Sequence, residues 1–201
     1  MEFLIDKESY ETDKIISVKN DKKLIVLGDT MRTGLNHLKR LENQSYLKIG
    51  KCSTYTIDKR GNIYEHFDPS FSSNILEDNG LDKIAITILL ENMNWLYYDN
   101  ATDSYYNWVN EKCLKQKSII EKEFRGYRYW DSYTSIQMKS LINLCKYLTD
   151  KFSIKKNVVN NSFSMDIIDF EGIICRGNLD CLNKDVNPSF NFTKFIKGMN
   201  S

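Results

Sequence analysis

Hydrophobic and polar positions alternate in a few stretches clearly enough to predict elements. Leu24–Leu27 (LIVL) and Ile84–Leu90 (IAITILL) are continuous apolar runs of the kind found in strands buried on both faces, although the second has a length that a buried helix could also take. Tyr55–Tyr64 (YTIDKRGNIY) places two short alternating runs around the turn residues Asp58-Lys59-Arg60-Gly61-Asn62, which predicts a hairpin. Apolar Leu35, Leu38 and Leu41 follow Gly28-Asp29-Thr30 at helical spacing. The most secure helix starts at Thr134-Ser135-Ile136-Gln137, where Thr and Gln stand in the capping-box pattern. Behind it Met138, Leu141, Ile142, Leu144, Cys145 and Leu148 form an apolar stripe suited to a core. Strands mixed with helices predict an α/β chain with one central sheet.

Composition narrows the picture further. The chain has 201 residues, the size of one α/β domain, with no repeat and no linker, and Pro only at 69 and 188. Lys and Arg number 28 against 27 Asp and Glu, so no global field steers it to nucleic acid or an anionic membrane surface. The basic stretch Lys112–Lys122 is interleaved with Glu and Ile, which predicts a solvated helix face. MEFLIDKESYETDK lacks the cationic start and apolar run of a signal peptide, and no run approaches the ~20 apolar residues of a membrane span. Five cysteines without a C-x-x-C pair predict reduced thiols.

Candidate chemistry is sparse. His37 and His66 are the only histidines, so a site built from three is excluded. Cys175, Cys181 and Asp185 with one histidine could on paper hold zinc, and Cys175 or Cys181 could serve as a nucleophile beside a histidine. The default expectation for both histidines is an ordinary, partly exposed side chain. No G-x-S-x-G, P-loop or G-x-G-x-x-G is present. Trp95, Tyr97, Tyr98, Tyr105, Tyr106 and Trp108 crowd into Asn94–Val109, either as a buried lid of the same domain or as anchors of a protein interface.

Four pieces in order resemble the amidase-2 family, the N-acetylmuramoyl-L-alanine amidases related to phage lysozyme-type amidases and peptidoglycan recognition proteins. They are LIVLGDT (24–30), TYTIDKRGNIYEHFDP (54–69), IAITILLENMNW (84–95), and RGYRYWDSYTSIQMKSLINLCKYLTDKFSI (125–154) joined to the tail GIICRGNLDCLNKDVNPSF (172–190). The resemblance implies one amidase-like domain over 1–201, a central mixed β-sheet flanked by helices, with 1–20 an N-terminal extension and 96–125 an aromatic insertion. It also implies a zinc held by two histidines and one anionic ligand, with water at an open position. Those histidine positions fall on Gly28 and on Arg176, or on Cys175 if the register slips by one; the anionic ligand falls on Asp185. The family's lysine falls on Asn183, with Lys184 one residue off; its tyrosine or glutamate falls near Ser53, with Tyr55 two residues on; its wall histidine falls near Asn74.

One zinc position of three keeps its chemistry, and Arg176 is expected to pair with Asp185 where the metal would sit. The low-histidine, Lys-, Asn- and Ile-rich composition is similar to phage-encoded relatives. The expectation is therefore an inactive amidase-like pseudoenzyme without cofactor, contacting other virion or assembly proteins, in a virion or the host cytoplasm. The alternatives are a non-catalytic binder of peptidoglycan fragments and an active zinc amidase with displaced ligands.

Overall fold

The structure, a computed structural model, describes residues 5–7, 15–16, 18–34, 39, 51–162 and 169–201. Ten strands and four helices are defined among them. Strands β1 (Ile5–Lys7), β2 (Leu24–Asp29), β3 (Tyr55–Ile57), β4 (Ile63–Glu65) and β5 (Ala85–Leu90) come first, with the short helix α1 (Asn79–Ile84) leading into β5. Then follow β6 (Trp95–Asp99), β7 (Ser104–Tyr106), β8 (Ile119–Phe124), β9 (Tyr127–Asp131), α2 (Ser135–Phe152), β10 (Gly172–Cys175), α3 (Arg176–Leu179) and α4 (Phe192–Met199).

The six-stranded sheet has the order β1-β4-β3-β5-β2-β10 and is mixed, since β3 and β4 alone pair antiparallel. The apolar runs become its centre because β2 and β5 are covered on both faces. On one face Ile25, Leu27, Ile86, Ile88 and Leu90 pack with Leu141, Leu144 and Leu148 of α2 and with Phe195 of α4. On the other, Leu24, Val26, Ala85 and Ile174 meet Leu76, Leu81 and Leu179. The predicted hairpin forms as β3 and β4, with Tyr55 opposite Glu65.

The mixed central sheet is as predicted, a second sheet adds to it, and two expectations need correction. The second, antiparallel sheet has the order β7-β6-β9-β8, and β6, β7 and β8 place parts of the 96–125 stretch in it. Residues Lys112–Lys122 form no α-helix: a bridge at Lys112, a 3-10 turn at Gln116–Ser118 and the start of β8 take their place. Interleaved charges suit the outward side of an edge strand as well as a helix face, and pairing with β9 decides between them. The capping box at α2 is half a box. Thr134 Oγ1 accepts the Gln137 N–H at 3.1 Å, but the Gln137 amide turns inward and donates to the carbonyls of Ile57 and Glu91. The helix expected around Leu35, Leu38 and Leu41 lies outside the described residues.

Thr134 also donates to the Lys59 carbonyl at 2.7 Å, tying the hairpin turn to the head of α2. Thr134→Ala should cost about 1–2 kcal/mol. For a chain of this size that is a fall of roughly 2–4 °C in melting temperature per kcal/mol, measurable by calorimetry.

Candidate functional site

Parallel strands β2, β5 and β10 all end on one edge of the central sheet, and such an edge is where α/β folds gather their chemistry. Register sets the neighbours. Leu27 pairs with Cys175 and Gly28 with Leu89, so Arg176, first residue of α3, arrives beside Gly28. A Cβ on Gly28 would lie 2.7 Å from Arg176 Cδ, 2.9 Å from Leu89 Cδ2 and 3.2 Å from Asp185 Oδ2. The three positions singled out in sequence thus converge. Arg176 Nη1 stands 3.3 Å from Asp185 Oδ2, with Asp185 buried and Arg176 30% exposed.

Asp185 has a second carboxylate for company. Asn94 Nδ2 donates to Asp29 Oδ2 at 2.7 Å and to Asp185 Oδ1 at 2.8 Å, so one amide nitrogen bridges both. Tyr133 Oη donates to Asp29 Oδ1 at 2.7 Å. Asn94 can present its amide this way because it adopts a left-handed conformation (φ 63°), which asparagine tolerates better than most residues. Burial and the neighbouring Asp185 charge push the Asp29 carboxyl well above the usual range, against the bonds from Tyr133 and Asn94. Burial also raises Asp185, with Arg176 opposing. The same surroundings push the Tyr133 phenol well up.

The loop carrying Asp185 is clamped from three sides. Asn183 Oδ1 accepts the Asp185 N–H at 2.8 Å, and the Gly177 N–H donates to the Asp185 carbonyl at 2.7 Å. Arg125, at the tip of the β8–β9 hairpin, donates to the carbonyls of Asn161, Gly177 and Asn183. Gly177 is required for the fit: a Cβ there would meet the Asp185 carbonyl at 2.4 Å.

Other sequence-predicted positions lie elsewhere. Ser53 is buried, 3.4 Å from Thr56 Oγ1. Thr56 shares a register row with Leu89 and Gly28, two strands and about 10 Å across the sheet from the latter. Tyr55 points into the core and donates to Glu65. Asn74 is exposed, and the Lys184 ammonium sits over the Tyr127 ring. His66 is fully buried, a correction to the expected partly exposed side chain; its Nε2 lies 2.9 Å from Thr56 Oγ1. His37 lies outside the described residues. Cys175 is buried with its thiol pushed up to about 12, while Cys181 is exposed.

The aromatic set divides. Tyr97, Tyr98 and Trp108 are 39%, 37% and 46% exposed, whereas Trp95, Tyr105 and Tyr106 are half-buried. Tyr97 stacks on Tyr106, and Trp95 on Tyr127. The Tyr97 and Tyr98 hydroxyls are held by Asn110 and Asp103.

Asp29, Asn94 and Tyr133 were not singled out by sequence reasoning. The available signal was a polar residue directly after each apolar run, Asp29 after LIVLG and the Asn-rich ENMN after ILL.

The fold is that of solved N-acetylmuramoyl-L-alanine amidases. The chain is similar in structure to LysC, an N-acetylmuramoyl-L-alanine amidase from Clostridium intestinale (TM-score 0.60, 16% identity, 99% of each chain covered). It is similar also to AmiD from E. coli in complex with the substrate anhydro-N-acetylmuramic acid-L-Ala-D-γ-Glu-L-Lys (TM-score 0.57, 13% identity, 90% of this chain and 59% of that one). A mutant endolysin from Bacillus subtilis gives a TM-score of 0.56 at 11% identity, with 98% of each chain covered. No protein-family model and no curated protein sequence matches the chain.

The zinc implied by this fold does not fit the residues at the three positions. Gly28 offers no donor atom, Arg176 brings a cation that cannot ligate, and Asp185 alone supplies a ligand. Among the described residues no three His, Cys, Asp or Glu side chains gather as a metal site.

Two measurements test the cluster. Arg176→Ala strips a buried carboxylate of its cation and should cost about 1–3 kcal/mol, the partial exposure of Arg176 lowering the usual figure. The same change should reduce the penalty of Gly28→Ala, whose Cβ meets the Arg176 methylenes; additive losses in a double-mutant cycle would contradict that coupling. The raised Asp29 carboxyl fixes a sign for pH as well. The folded state keeps a proton that the unfolded chain releases near pH ~4, so this contribution is complete below that pH and fades as pH rises through the folded value. Asp29→Asn should therefore flatten the decline of melting temperature with rising pH.

Proposed function

We propose that this protein is a catalytically inactive module of amidase fold that works by binding, as a structural or assembly component of a phage particle. The observation that carries the reading is the Arg176–Asp185 ion pair lying over Gly28. Zinc hydrolysis of an amide needs neutral or anionic donors and an open coordination position for water. At these positions there is a guanidinium, its carboxylate partner and a bare backbone. The exposed rings of Tyr97, Tyr98 and Trp108 support protein contacts, since Tyr and Trp are favoured interface anchors and two of the hydroxyls are already held in place.

A second reading, binding of peptidoglycan fragments without cleavage, is favoured by the likeness to AmiD, which was solved with a muropeptide substrate. A third, an active amidase whose zinc ligands are displaced, makes opposite predictions.

Three measurements separate them. The purified protein should contain no stoichiometric zinc by elemental analysis and release no stem peptide from sacculi; equimolar zinc together with release would establish the displaced-ligand enzyme. The chain should appear in purified virions in fixed stoichiometry with other structural proteins, and absence from virions would defeat the assembly role. Retention on sacculi without cleavage would assign the module to glycan binding.

A further inference from the structure

A second concavity lies on the same edge of the central sheet, away from Gly28. It has a volume of about 500 Å³, within the range of small-molecule pockets. Its walls come from the loop after β2, the β3–β4 turn, the segment after β5 and the loop before β8. Met93 and Cys113, both buried, supply an apolar lining.

The charges around it do not cancel. Lys59 and Asp131 neutralise one another, Nζ to Oδ2 at 2.8 Å, with both side chains mostly buried. Asp58 accepts the backbone N–H groups of Arg60 and Asn62 at 2.9 and 2.8 Å, which orders the turn and leaves the carboxylate charge in the wall. Glu91 Oε2 accepts the Lys59 N–H at 2.8 Å, and Arg32 pairs with Glu111 at 3.2 Å. The remaining cations lining the cavity are Arg60, Lys112 and Lys115, all exposed and without an ion pair among the described residues. Arg32, Lys59, Arg60, Lys112 and Lys115 outnumber Asp58, Glu91 and Asp131 in the lining, and this positive excess beside an apolar floor favours a ligand with an apolar body and an oxyanion head.

We propose that this cavity is a binding site for a small organic anion, its carboxylate or phosphate group facing Arg60, Lys112 and Lys115 and its apolar part resting on Met93 and Cys113. The site shares no lining residue with the Gly28–Arg176–Asp185 cluster, so it stands whether or not the cleft binds glycan.

Isothermal titration of the full chain with citrate and with pyrophosphate tests it. At least one probe should bind at 1:1 stoichiometry; citrate alone assigns a carboxylate ligand, pyrophosphate alone a phosphate ligand, and both a general oxyanion site. The exposed double change K112E/K115E should weaken binding at least tenfold, and K112Q/K115Q should do so by a smaller factor. Charge reversal at Arg128, exposed on β9 and outside the cavity, should leave the affinity within twofold. No binding of either probe overturns the proposal, as does an equal loss in R128E.

Discussion

Two carboxyl groups held side by side inside the protein set the terms for everything around them. Asp29 and Asp185 are both buried, and each would be costly there alone. The surrounding residues answer that cost in separate ways. Asn94 gives one N–H to each carboxylate, Tyr133 donates to Asp29, and Arg176 places a positive charge on the far side of Asp185. These groups come from five stretches of chain, so the cluster also fastens the ends of β2, β5 and β10 to the head of α2. Asn187 extends the fastening, donating to the Asn92 side chain and the Asp131 carbonyl. At this edge of the sheet an ion pair and side-chain amide hydrogen bonds join the strand ends.

Much of the central sheet was legible because its strands are buried on both faces, and a run such as IAITILL leaves few alternatives. The hairpin was legible from Asp58 to Asn62, where Asp58 accepts from two N–H groups of its own turn. The second sheet was not. WLYYD, SYY and YRYWD are rich in aromatics on both sides of the pleat, so no alternation announces them. Their pairing depends on contacts distant in sequence, such as Trp95 with Trp130. Gln137 misled for a related reason: its amide has two better partners at the ends of β3 and β5 than the backbone of its own helix.

The cluster itself was half legible. Gly28, Arg176 and Asp185 were picked out by resemblance, and the fold brings them into contact. Ser53 is not joined to them because Thr56, three residues on, occupies the register row of Gly28, with Leu89 of β5 between the two. Asp29, Asn94 and Tyr133 escaped notice because no spacing links them: a strand end, a left-handed asparagine and a residue before a helix cap meet only in three dimensions.

Strand β8 is an outer strand of the smaller sheet, and among the described residues no strand pairs with its other side, a border of the sort that recruits a neighbouring chain. Its middle, Glu121, Lys122 and Glu123, is exposed and charged, and its register with β9 slips between Glu121 and Phe124. Both devices obstruct ladder growth: a second strand laid there would meet alternating charge and a kinked line of donors. The sheet is thereby protected against fibre-like stacking at that border.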